Sequence, residues 1–179
     1  LDAAFFLAAG AERGRFVAIG DFSHVALSKS GTVGPGIPAT GSTEQTILSL
    51  AAGYRAYADA RASVDVFAGV RTFWLDANVA VPGLGVSASP QRTFADPLIG
   101  LRARRLLTER WSGALHADFG GFGAGTDLTV VAAGTLSFRA TRRLTLSAGY
   151  RSMWIDYNGG GTIADVVIGG PLFGVTWRF

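Results

Sequence analysis

The chain has no cysteine, one lysine (Lys29) and one methionine (Met153) in 179 residues. Without cysteine there is no disulfide, no thiolate metal site and no thiol nucleophile. Charged residues are scarce too, at 16% of the sequence against roughly a quarter in an ordinary soluble domain. Long apolar runs are also missing. The longest, Ala3 to Ala11, stops at Glu12 and Arg13, well short of the ~18 residues a membrane helix needs. A helical membrane protein is thereby excluded. Disorder is disfavoured as well, because 49% of the residues are hydrophobic.

What remains is 25 glycines, a mean hydropathy of +0.31 and a formal net charge of +3. Fifteen of the 16 bases are arginine. They are scattered along the sequence singly or in pairs, which argues against a nucleic-acid patch. The length suits a single domain with a sizeable core.

The dominant pattern is period-two alternation, the signature of half-buried strands. From Asp127 to Arg139, one parity holds Leu128, Val130, Ala132, Gly134, Leu136 and Phe138, and the other is mainly polar. The next segment sets Leu144, Leu146, Ala148, Tyr150 and Trp154 against Arg143, Thr145, Ser147, Gly149 and Arg151. Leu48 to Arg55, Asp96 to Arg104, Trp111 to Phe119 and Phe173 to Phe179 alternate in the same way. Nine strand-like segments result, at about 2–12, 15–28, 45–56, 63–80, 95–106, 110–119, 127–140, 143–157 and 163–179.

Short connections near Glu12–Gly14, Tyr57–Ala62, Leu107–Glu109 and Ala140–Arg142 alternate with longer Gly/Pro-rich ones. The longer ones are Ser30–Thr43, Val81–Phe94, Gly120–Thr126 and Asn158–Thr162. This is an up-and-down meander, and in outer-membrane barrels short turns face the periplasm and long loops face outside. The first and last segments then both descend. An antiparallel barrel with an even strand count requires one more ascending strand, expected before Leu1, for a total of ten; the alternative is eight, with one segment not spanning.

A soluble barrel would carry lysine and glutamate on its polar parity. Here that parity is Arg, Asp, Ser, Thr and Gly, which suits a narrow, packed lumen. Tyr54, Trp111, Phe138, Tyr150, Trp154 and Trp177 fall on the apolar parity near strand ends, where a lipid-interface girdle belongs. The expected fold is therefore an all-β, antiparallel, up-and-down transmembrane barrel formed by residues 1–179 as one domain.

The C-terminal GPLFGVTWRF, ending on Phe179, resembles the terminal strand of Gram-negative outer-membrane proteins, which the barrel-assembly machinery reads. DPLIGLRAR (96–104), HADFGGFGAG (116–125) and AGYRSMWIDY (148–157) resemble a widespread group of uncharacterised, porin-like outer-membrane β-barrel proteins. The resemblance runs over most of the chain from Ala3 onward. It implies outer-membrane lipid and the assembly machinery as partners, and no cofactor or reaction.

Three chemistries are open to these residues. Gly120–Gly125 precedes a strand rather than a helix, so it reads as a hairpin loop rather than a phosphate cradle. The run Asn158–Gly161 reads likewise. His116 and Asp118 share a face and, with Ser112 or Ser137, are the suspects for a hydrolase acting on lipid or peptide. Neither His116 nor His24 has partners at metal-ligand spacing, and His24 belongs to the outer parity. Arg55, Arg71, Arg102, Arg104, Arg139, Arg143, Arg151 and Arg178 point inward by parity, with Glu12, Asp21, Asp65, Asp96, Asp118 and Asp127. Such a set either plugs the barrel with ion pairs or lines a narrow, weakly anion-preferring, low-conductance passage. Long loops that bind an extracellular partner, and a soluble ligand-binding barrel, complete the alternatives.

Overall fold

The computed structural model describes residues 3–33, 37–159 and 162–177. Its strands are β1 (Ala3–Arg13), β2 (Phe16–Val33), β3 (Ile37–Ala58), β4 (Ala62–Val81), β5 (Val86–Ala88), β6 (Gln91–Leu106), β7 (Trp111–Gly121), β8 (Leu128–Arg139), β9 (Leu144–Gly159) and β10 (Thr162–Trp177). Nine long strands pair antiparallel in sequence order, and the short β5 pairs only with the end of β4. The nine alternating segments of the sequence thus become nine neighbouring strands of one curled, up-and-down sheet.

Several strands outrun their expected ends. The stretch 30–43 stays paired from Lys29↔Gly41 to Val33↔Ile37, apart from the undescribed 34–36, and β6 begins at Gln91 opposite Asp76. Residues 27–32 are exposed on both faces, so the ladder continues where hydrophobic alternation has ceased. Alternation reports a buried or lipid-like face, not the ladder itself.

The two faces are inverted relative to a soluble domain. On the outer face Leu115 is 65% and Phe173 83% exposed, while Asp65, Arg71 and Asp96 on the inner face are 0% exposed. Curling depends on inward glycines, because a side chain at the bend would meet the neighbouring strand. A Cβ at Gly69 would lie 2.1 Å from the Leu50 carbonyl oxygen, and one at Gly149 2.2 Å from that of Gly134. The curl is deep enough that β2 and β9 meet across the interior through Asp21 and Arg151.

The sheet does not close on itself among the described residues: β1 and β10 are its two ends. Both run from the long-loop end to the short-turn end. Between them lies a cleft of about 700 Å³ lined by Phe6, Ala8, Arg151, Ile168, Gly170 and Leu172, among others.

Three of the four short turns share a construction. Gly14 takes the left-handed backbone (φ 63°) in the first. In the other three a side-chain oxygen caps two amides ahead of it. Asp59 accepts from the N–H groups of Arg61 and Ala62, Thr108 from Arg110 and Trp111, and Thr141 from Arg143 and Leu144. The Tyr57 hydroxyl, together with those two amides, holds the Asp59 carboxyl below its ordinary range.

Candidate functional site

The interior is organised in three levels. Nearest the short turns, Asp65 on β4 is fully buried and gathers three guanidiniums. Arg55 Nε lies 2.8 Å away, Arg102 Nη2 3.0 Å and Arg104 Nη2 3.1 Å. Glu12 reaches in from the edge strand β1 to Arg55 (2.8 Å) and Arg104. Below this cluster a pocket of about 400 Å³ opens towards the short turns.

At mid-height Arg71 is wholly buried. Its Nη2 donates to both Asp118 oxygens (2.8 and 2.9 Å), its Nε to Ser49 Oγ (3.1 Å) and its Nη1 to Thr129 Oγ1 (3.4 Å). His116 Nε2 lies 2.9 Å from Asp118 Oδ2, and its ring stacks on Phe67 with centroids 5.1 Å apart. On the other side Ser49 donates to Asp21 (3.2 Å), which pairs with Arg151 (3.4 Å). A continuous polar belt therefore crosses the lumen from β9 through β2, β3 and β4 to β7. At its centre, burying Arg71 or Asp118 without the other costs several kcal/mol.

Towards the long loops the lining turns apolar. Ile47, Phe73, Val131, Met153 and Ile155 pack together, and Phe94 stacks between Phe73 (4.8 Å) and Tyr157 (5.9 Å). Asp96, 0% exposed, accepts the Thr126 N–H (2.9 Å) and hydroxyl (2.6 Å), and so pins the 121–127 loop over this layer. The glycines of Gly120–Gly125 serve that approach: a Cβ on Gly125 would lie 2.6 Å from the Asp96 carboxylate.

The structure brings Arg55, Arg102 and Arg104 together, and sets Arg71 with Asp118 and His116. Arg151 joins through Asp21. Asp96 departs from expectation, since it caps a loop rather than pairing with arginine. Arg139 also departs: although of inward parity, it is exposed at the short-turn end and holds no ion pair among the described residues, as does Arg143. Asp127 is exposed as well. Ser112 and Ser137 are not delivered to His116; Ser137 bonds Ser147 instead, and among the described residues no hydroxyl bonds His116. Sequence reasoning missed Ser49, Thr126, Thr129 and the apolar layer. The inward parity of Ser49, Thr129 and the apolar layer was readable, but a lone hydroxyl or a Phe among inward charges announces no role by itself, and Thr126 lies in a loop, where parity says nothing. No group of metal-ligating side chains stands together among the described residues.

The six aromatic residues of the expected girdle lie on the outer face. Tyr54, Trp111, Tyr150, Trp154 and Trp177 are exposed. Phe138 is half-buried because it packs on Trp111 at 4.9 Å. Phe179 and Arg178 lie outside the described residues, as do residues 160–161 of the expected Asn158–Gly161 loop. No protein-family model matches the chain, and no curated protein shows significant similarity to it.

Proposed function

We propose that this chain is an integral outer-membrane β-barrel with a closed interior and a structural, anchoring role. The observation that carries this reading is the outer face. Phe16, Tyr54, Trp111, Phe138 and Trp177 form a lower aromatic level, and Trp74 and Trp154 an upper one. Trp74 stands eight positions along β4 from Val66, the partner of Tyr54, which is about 26 Å of strand. No charged side chain faces outward between these levels among the described residues. The nine residues from Val66 to Trp74 meet the ~9–11 that a tilted strand needs to cross the apolar belt of an outer-membrane barrel. The resemblance of the C-terminal strand points to the same membrane.

Closure favours a scaffold over a passage. The Arg71–Asp118 belt and the Phe73 layer occupy successive levels of the lumen, each with its central groups fully buried. For the hydrolase reading, His116 has the carboxylate but no hydroxyl partner among the described residues. In lipid, the free edges of β1 and β10 need covering, because unpaired backbone groups have no water to bond there. The two edges run in the same direction, so one strand antiparallel to both would bridge them.

The test is solubility and gel mobility. The expected outcome is a detergent-dependent protein whose unheated form migrates differently from its boiled form. A monodisperse monomer that persists without detergent contradicts the reading.

A further inference from the structure

The arginines that are scattered in sequence are gathered by the topology. The first short turn carries Arg13 and Arg15, the second Arg61, the third Arg105 and Arg110, and the fourth Arg139, Arg142 and Arg143. All are exposed, and none forms an ion pair among the described residues. Among the described residues, the acids outside the lumen cluster at this end are Asp59 and Glu109. The long-loop end has the opposite sign, with Glu44, Asp76, Asp127, Asp156 and Asp165 against Lys29 and Arg92.

We infer that the short-turn rim is a binding surface for the phosphate headgroups of anionic phospholipids in the adjoining leaflet. Its placement is the first argument. The rim arginines abut the lower aromatic level: Arg15 precedes Phe16, Arg110 precedes Trp111, and Arg139 follows Phe138. Arg15 Nη1 donates to the Tyr54 hydroxyl at 3.4 Å, and its guanidinium lies 5.9 Å from the centre of that ring. Aromatic girdles sit at headgroup depth, so the guanidiniums beside them stand where lipid phosphates are. Their five donors match phosphate geometry, and the long stem lets the charge reach it.

Repetition is the second argument. In each of three turns a side-chain cap sits two residues before an arginine: Asp59 before Arg61, Thr108 before Arg110, Thr141 before Arg143. The cap uses the arginine's backbone N–H and leaves its guanidinium free. One local structure thus presents the same cation three times around one rim. This surface rests on the membrane-spanning reading above, and the test separates the two.

The probe is quenching by brominated lipid. In a Trp74→Phe/Trp154→Phe background only the lower-level Trp111 and Trp177 report. Vesicles of phosphatidylcholine carry an equal fraction of brominated phosphatidylglycerol or of brominated phosphatidylcholine. The expected result is about a fivefold preference for phosphatidylglycerol, the worth of one arginine near an anionic surface. It should shrink at 0.5 M salt, to a Debye length of roughly 4 Å, and fall in Arg61→Gln/Arg110→Gln/Arg143→Gln. That variant keeps all three caps, and heat-modifiable mobility in neutral vesicles shows that it has inserted. Equal quenching by the two lipids overturns the inference, as does a preference left undiminished by the triple change. A rim that retains heparin yet shows equal quenching serves a soluble polyanion and overturns it too. Loss of insertion in neutral vesicles would instead count against the membrane reading itself.

Discussion

Two parts of the interior use the same residue types to different effect. In the wall of β4, β6 and β7, Arg71 is sealed from solvent and every donor group it carries has an acceptor. At the seam between β1 and β10, Arg151 has one acid at 3.4 Å and lies 4.9 Å over the Phe6 ring, with its side chain still 14% exposed. An inward charge becomes a fixed structural element only where its neighbours complete its coordination. Where they do not, it stays close to water and contributes little.

The sharpest way to break this contrast is to remove one member from each side. Arg71→Ala leaves Asp118 buried beside His116 alone and should cost about 3–5 kcal/mol, read as a shift in urea unfolding of the folded form. Replacing the pair together, Arg71→Met with Asp118→Leu, should recover most of that loss. Arg151→Ala should cost under about 1 kcal/mol, in keeping with a weak, wet ion pair. Equal losses at the two sites would erase the distinction between wall and seam.

Glycine offers a second comparison, with a smaller effect. Gly69→Ala forces a Cβ against the Leu50 carbonyl and should cost about 1–3 kcal/mol. Gly170, on the seam, has nothing within 4 Å of its would-be Cβ, so Gly170→Ala should leave unfolding unchanged. Thr126→Val removes a hydroxyl from the buried Asp96 carboxylate and should cost about 1–3 kcal/mol. Its 121–127 loop should also become open to protease, whereas the short turns should not.

How much of this was readable beforehand follows from what alternation can report. The outer faces of β6 to β9 were explicit, because Ile99, Leu101, Leu115, Leu136 and Leu146 repeat every second residue. The inward arginines were explicit for the same reason. Their partners were not, since the Asp118–Arg71 and Asp65–Arg104 contacts join residues far apart in sequence through the curl. Parity also misled at strand ends: Arg139 has inward parity, but the lumen has ended by then. The basic rim was hidden because each turn holds only one to three arginines, and only the up-and-down order of strands sums them at one end.

The smallest expected effect separates the turns from both wall and seam. Asp59→Asn keeps the oxygen that caps the two amides but removes a carboxylate that titrates below its ordinary range in the folded protein. Stability from such a group is present above its unfolded pKa and is lost as pH falls through the folded one. At neutral pH the variant should therefore melt slightly lower than the parent, and the gap should close under acid conditions. A gap independent of pH would assign the effect to the turn backbone rather than to the charge.

The proposal of a membrane barrel with a sealed interior is open to a direct test. Single-channel recording in a planar bilayer tests it most directly, with insertion of the same sample verified by heat-modifiable mobility. The inserted wild-type protein should give no resolvable current steps, because the Arg71–Asp118 belt and the Phe73 layer close successive levels of the lumen. Steady, reproducible steps from the wild type would contradict it.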